Sequence, residues 1–360
     1  MAILTRRNFM QAAGAAAALP MLGSKAFAQE KLKVGFIYLG PIGDYGWTWA
    51  HNKGREAMEA ALGDKVESIY VENVAEDASA TPVIRDLANQ GCKLIFTTSY
   101  GYMDQTLEVA SEFPDVKFEH CTGFKMADNV SVYNSRFHEG RAVLGTIAGM
   151  MSKSGTLGYL GSYKVPEVVL GVNSFLLAAQ KKNPAATLKV VFIDSWFDPP
   201  KEAAATETLL NLGADIVTTH TDSPAALQIL EQRGLYGFGQ GADMSSFAPT
   251  AHLTAIEDIW GPHYTERAQA VIDGTWTSSN IWEGMVDGTV VISPYNSAIP
   301  ADVVAEADKI KAGYMDGSFD IFTGPIYDTE GTLRVADGAT LTLDELAVQD
   351  WFVKGVETAA

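Results

Sequence analysis

From Lys31 onward, short apolar runs alternate with longer amphipathic stretches, the rhythm of parallel strands joined by crossover helices. "KLKVGFIYLG" predicts a first strand and "WAHNKGREAMEAAL" a helix; "VESIYVENV" and "ATPVIRDLANQG" repeat the pair. "KLIFTTS" and "KFEHCTG" follow as strands with the helix "YMDQTLEVASEF" between them, and "VSVYNSRF" is one more extended run. A second block opens with "EGRAVLGTIAGMMSKSG" and alternates again through "TLGYLGSY", "LKVVFIDSW", "ADIVTTHTD" and "LYGFGQGAD". This predicts an α/β protein of two doubly wound parallel-sheet lobes. The later runs "HLTAIEDI", "HYTERAQAVIDGTW" and "NIWEGMVDGTVVI" supply only a strand, a helix and a strand, too little to bury their own faces. They are expected to return to the first lobe and cross back, giving hinges near Phe137, Ile256 and Ile292. The expected division is residues 31–136 plus 258–291 for the first lobe and 137–257 plus 292–355 for the second.

The N-terminus breaks the rhythm. Paired Arg6 and Arg7, the apolar stretch from Ala12 to Leu22 and the small residues ending at Ala28 read as a twin-arginine export signal over residues 1–28. The apolar stretch falls short of the roughly 20 residues that span a bilayer. No Cys follows the expected cleavage site, so a free periplasmic protein is expected rather than a lipid-anchored one. Cleavage would remove three basic residues and no acid, moving the formal net charge from -18 to -21. A surface so acidic repels nucleic acid and anionic lipid. Cys92 and Cys121 read either as a disulfide of an oxidising compartment or as two buried thiols, the thiols being favoured because a bridge demands particular backbone geometry. The six histidines show no metal-ligand spacing, and neither a metal nor a cofactor is expected.

Ligands of open α/β sheets bind beyond the carboxyl ends of the strands. At those ends stand "GPIGDYGWTWAHNKG", "TTSYGYMD", "DSWFDPPKE", "GQGADMSS" and "IEDIWGPHY", where aromatics and carboxylates recur together. Trp47, Tyr100, Trp196 and Trp260 are candidate flat walls, and Asp44, Asp198, Asp243 and Asp258 candidate acceptors. Each has a plainer role to set beside it. The tryptophans can serve as core, Asp44 and Asp198 as helix caps, and Asp243 as a turn former. "GFGQGA" misses the dinucleotide-binding spacing at Ala242 and carries no such implication. Two stacking walls contribute about 2 to 6 kcal/mol, whereas micromolar binding needs about 8. One or two hydrogen bonds to charged groups, each on the order of 1.5 to 3 kcal/mol, make up the difference. A planar, nitrogen-rich heterocycle suits both features.

Several blocks resemble the basic membrane protein (BMP) family of ABC-transporter substrate-binding proteins, whose best-known members bind purine nucleosides: "GDYGWTWAHNKGREAMEAA", "GCKLIFTTSYGYMDQTLEVASEFPDVKF", "FHEGRAVLGTIAGMMSKSGTLGYLG", "DSWFDPPKE" and "HLTAIED…AQAVIDGTW". The resemblance implies a type I periplasmic-binding-protein fold, capture of a small ligand between the lobes and delivery to an inner-membrane permease with its ATPase. It also implies stacking roles for Trp47 and Trp196, a first-lobe loop at Tyr100 and Gly101, and a ribose contact at Asp243. Two features depart from it. "TAIED" puts Asp258 where nucleoside binders carry a ribose-contacting Lys, and Trp260 stands close by, large enough to occupy sugar space. A free purine base, adenine-like, is therefore expected, with a nucleoside as the alternative. A ligand-sensing receptor uses the same fold. A hydrolase is disfavoured, since no GxSxG elbow, P-loop or metal spacing appears. A monomeric binding protein and not an enzyme is expected.

Overall fold

The computed structural model describes residues 30–43 and 45–359; the expected export signal and Asp44 lie outside them. The first sheet contains β1 (Leu32–Ile37), β2 (Val66–Val71), β3 (Leu94–Thr97), β4 (Lys117–Cys121) and β5 (Val130–Ser135). The second contains β6 (Thr156–Gly161), β7 (Thr187–Phe192), β8 (Ile216–Thr219), β9 (Tyr236–Gly241) and β10 (His252–Asp258). β11 (Asn280–Glu283) then joins the edge of the first sheet beside β5, and β12 (Val290–Ile292) returns to the second. β13 (Ile326–Tyr327) and β14 (Leu333–Val335) form a separate ribbon, and β15 (Val356–Ala359) closes the far edge of the second sheet beside β7.

The two large sheets run β11-β5-β4-β3-β1-β2 and β12-β10-β9-β8-β6-β7-β15, every pair parallel except β10 with β12. β3 and β5 are buried along their whole length, as strands covered by helices on both faces must be. "NIWEGMVDGTVVI" thus supplies two strands rather than the single one expected, because Gly284 to Thr289 turn the chain from one sheet to the other. The chain crosses between sheets three times: from β5 into α4 (Phe137–Met151), from β10 into α8 (Gly261–Asp273), and from β11 into β12.

Helix packing follows from small residues at contact points. α4 lies against α5 (Pro166–Lys182) so closely that a Cβ on Gly145 would stand 2.1 Å from the Phe175 carbonyl oxygen. α8 lies on α1 (Trp47–Leu62), with Gly54 beneath Trp260 and Tyr264. Cys92 and Cys121 are buried free thiols in different clusters of the first lobe, and burial pushes the Cys92 thiol up to about 11. Among the described residues no helix is long and apolar enough to cross a membrane, and no three His, Cys, Asp or Glu side chains are grouped to hold a metal ion.

Candidate functional site

The carboxyl ends of both sheets face one another across a narrow space of about 20 Å³. Leu39, Trp47, Ser99 and Thr122 line it from the first lobe; Glu167, Trp196, His220, Asp222 and Gln240 line it from the second, and Phe137 from the crossing. It adjoins a wider mouth of about 770 Å³, open to solvent, that shares Leu39, Trp196 and Asp222.

Trp47 begins α1, whose N-cap is Gly46 at φ 88°, a conformation that glycine adopts freely. That glycine also admits the second lobe, since a Cβ there would stand 2.5 Å from the Asp222 carbonyl oxygen. The Trp47 amide donates to Asp222 Oδ1 at 3.3 Å, and its indole Nε1 donates to the Thr98 carbonyl at 2.6 Å. From the opposite lobe, Trp196 Nε1 donates across the space to Glu76 Oε2 at 2.8 Å. Glu76 is held for this contact by Ser99 Oγ at 2.5 Å and the Gly101 amide at 2.7 Å. Each indole is thus held by its N–H while lining the space.

Two carboxyls share that wall with no Lys or Arg among its lining residues. Burial pushes Asp222 up to about 8, with the Glu202 carboxylate adding to it. Burial likewise pushes Glu167 up to about 8, with Glu76 adding. Beneath the floor, buried Arg141 donates to Thr218 Oγ1, the Thr219 carbonyl and Gln240 Oε1. Its hold on the amide oxygen leaves the Gln240 NH2 free of Arg141. His220 pairs with the Tyr159 hydroxyl through Nδ1 and is held neutral, its pKa well below the usual value through burial and then Arg141.

The other sequence candidates fall in other places. Asp198 caps α6 (Pro199–Asn211), accepting from the Lys201 amide at 3.0 Å. Asp243 closes a turn by accepting from the Ser245 amide at 2.8 Å. Asp258 is buried at the crossing, accepts from Ser135 Oγ at 2.6 Å, and is pushed up to about 6 by burial. Trp260 is 1% exposed and stacks on His51 at 4.8 Å, so the structure puts it in the first lobe's core. Tyr100 and Gly101 form a short 3₁₀ turn outside the lining, where Gly101 supports Glu76. Glu76, Glu167, His220 and Asp222 were absent from the sequence candidates. They lie just past β2, β6 and β8, so the strand-end rule applied to every strand finds them.

Two α/β lobes joined by three crossings, with a small polar and aromatic space between them, are the architecture of a protein that binds a small molecule between its lobes. Residues 31–318 match the family model described as "ABC transporter substrate-binding protein PnrA-like" (Bmp), and the chain belongs to that family. It is 52% identical over 337 residues to a purine-binding protein of Brucella abortus (strain 2308), covering 94% of this chain and 96% of that one. A Haloferax volcanii protein with the provisional name ABC transporter glucose-binding protein is 30% identical, covering 91% and 81% respectively. Among solved structures, an ABC transporter solute-binding protein from Aeropyrum pernix K1 superposes with a TM-score of 0.71 at 16% identity, over 80% of this chain and 92% of that one.

Proposed function

We propose that the protein is the periplasmic substrate-binding component of an ABC importer, exported through the twin-arginine route. It captures a purine base of the adenine type between its lobes and delivers it to a membrane permease served by an ATPase. The observation that carries this reading is the pair of indoles, Trp47 and Trp196, brought from opposite lobes to one enclosed space with two carboxyls beside them. A flat ring stacks on the former, and its N–H groups meet the latter. The similarity to a protein named for purine binding supports the same ligand class. A base is favoured over a nucleoside because no Lys lines the space and Asp258 is committed to Ser135. Asp243, spent on its turn, leaves a ribose without the acid the resemblance implied.

Calorimetry with adenine, guanine, hypoxanthine, xanthine and their ribosides tests this, with D-glucose as the arm suggested by the Haloferax relative. Micromolar or tighter binding of a base is expected, and tighter binding of the ribosides would defeat the preference for a base. N-terminal sequencing of the exported chain is expected to begin at Gln29.

A further inference from the structure

The hydrogen-bonding capacity of the enclosed wall is lopsided. Both indole N–H groups are spent, on Thr98 and Glu76. Ser99 donates its hydroxyl to Glu76 at 2.5 Å, and Thr122 donates its own to the Cys121 carbonyl at 2.7 Å. The acceptors are not spent. Glu167 Oε2 has no partner among the described residues, and Asp222 receives only the long bond from the Trp47 amide. Gln240, its oxygen held by Arg141, and His220, its Nδ1 paired with Tyr159, keep an N–H each at most, against two carboxyls. A buried polar group without a partner is costly, so a guest is selected by what it donates.

We propose that Glu167 and Asp222 act as paired acceptors for N–H groups on two different edges of a flat guest, so that the unsubstituted ring N–H of a free purine is itself a recognised feature. The inference rests on the purine reading and adds the edge by which the base is chosen. An exocyclic amine and the five-membered-ring N–H supply donors on opposite sides of adenine; substitution at N9, by sugar or by methyl, removes the second. The surroundings of the pair agree. Glu76, Asp258 and Asp222 are near enough to raise Glu167, against the Thr122 hydroxyl, and Glu202, Glu76 and Asp258 are near enough to raise Asp222. Arg141 is turned to Gln240 and the strand ends, and His220 is neutral. No cation answers either carboxyl on that wall, which is why burial raises both so far.

The test uses the exported full chain and a molecule that lacks the ring N–H without carrying a sugar. Adenine, 9-methyladenine, adenosine and D-glucose are titrated calorimetrically. At pH 9, where carboxyls raised to about 8 are ionised, the methyl compound is expected to bind weaker than adenine on the order of 10- to 100-fold, the loss of one hydrogen bond to a charged acceptor. At the same pH, Asp222→Asn or Glu167→Gln keeps size and removes charge, and that penalty is expected to shrink at least about threefold in one of the two. Equal affinities for adenine and 9-methyladenine overturn the inference and leave the purine reading standing. A penalty unchanged in both variants also overturns it, assigning the loss to size. Binding of D-glucose with no purine bound overturns the underlying function reading instead.

Discussion

Trp47 and Trp260 lie 5.8 Å apart, edge to face, both beside the carboxyl end of a strand, yet they do different work. Trp47 is partly exposed on the wall of the enclosed space, whereas Trp260 is sealed between His51, Tyr133 and the α1–α8 contact. What separates them is the neighbour each meets. Trp260 sits over Gly54, which lets α8 come down on α1 and covers the indole. Trp47 follows Gly46, which keeps the chain clear for the opposite lobe. An aromatic at a strand end therefore lines a site only when no helix arrives to bury it.

That contrast can be broken by substitution. Trp260→Ala is expected to cost about 3 to 5 kcal/mol of stability, as large-to-small changes in a core do, read by denaturant unfolding. Trp47→Ala is expected to cost about 1 to 3 kcal/mol of ligand affinity in calorimetry while the melting transition stays near that of the parent. If Trp47→Ala melts like Trp260→Ala, the distinction between wall and core collapses.

The carboxyls of the site give a pH signature that neither tryptophan can give. Asp222 has a folded pKa of about 8 against an ordinary value near 3.8, so between those values the folded chain binds more protons than the unfolded one, and its contribution to stability falls as pH rises. Asp222→Asn removes that loss. Its stability relative to the parent, without ligand, is expected to improve from pH 4 to 8 and to level off above. A difference independent of pH would mean the carboxyl is well solvated. The smallest effect concerns Asp198. Replacing this cap with Ala is expected to lower stability by about 1 kcal/mol and leave affinity unchanged; a clear affinity loss would return Asp198 to the site.

The two-lobed α/β plan is legible in the chain because parallel strands buried on both faces are continuous apolar runs, as in "KLIFTTS" and "VSVYNSRF". β15 is not, since "VETA" is a short edge strand with two exposed positions and no apolar signature. The walls Trp47 and Trp196 are legible from their bulk and flanking turn residues. Asp222 and Glu167 hide for a different reason. "HTDSPA" and "VPEVV" resemble helix openings, and whether an acid near such an opening caps it or turns inward depends on the opposite lobe, which no local pattern describes. Asp198 shows the other outcome of the same ambiguity.

Three stretches of chain run between the sheets, and the bond between Ser135 and Asp258 ties the end of β5 to the end of β10 beside them. Cutting any one of them would leave the lobes tethered by the other two. Farther out the lobes touch again, Tyr45 meeting Phe247 with ring centroids 5.5 Å apart.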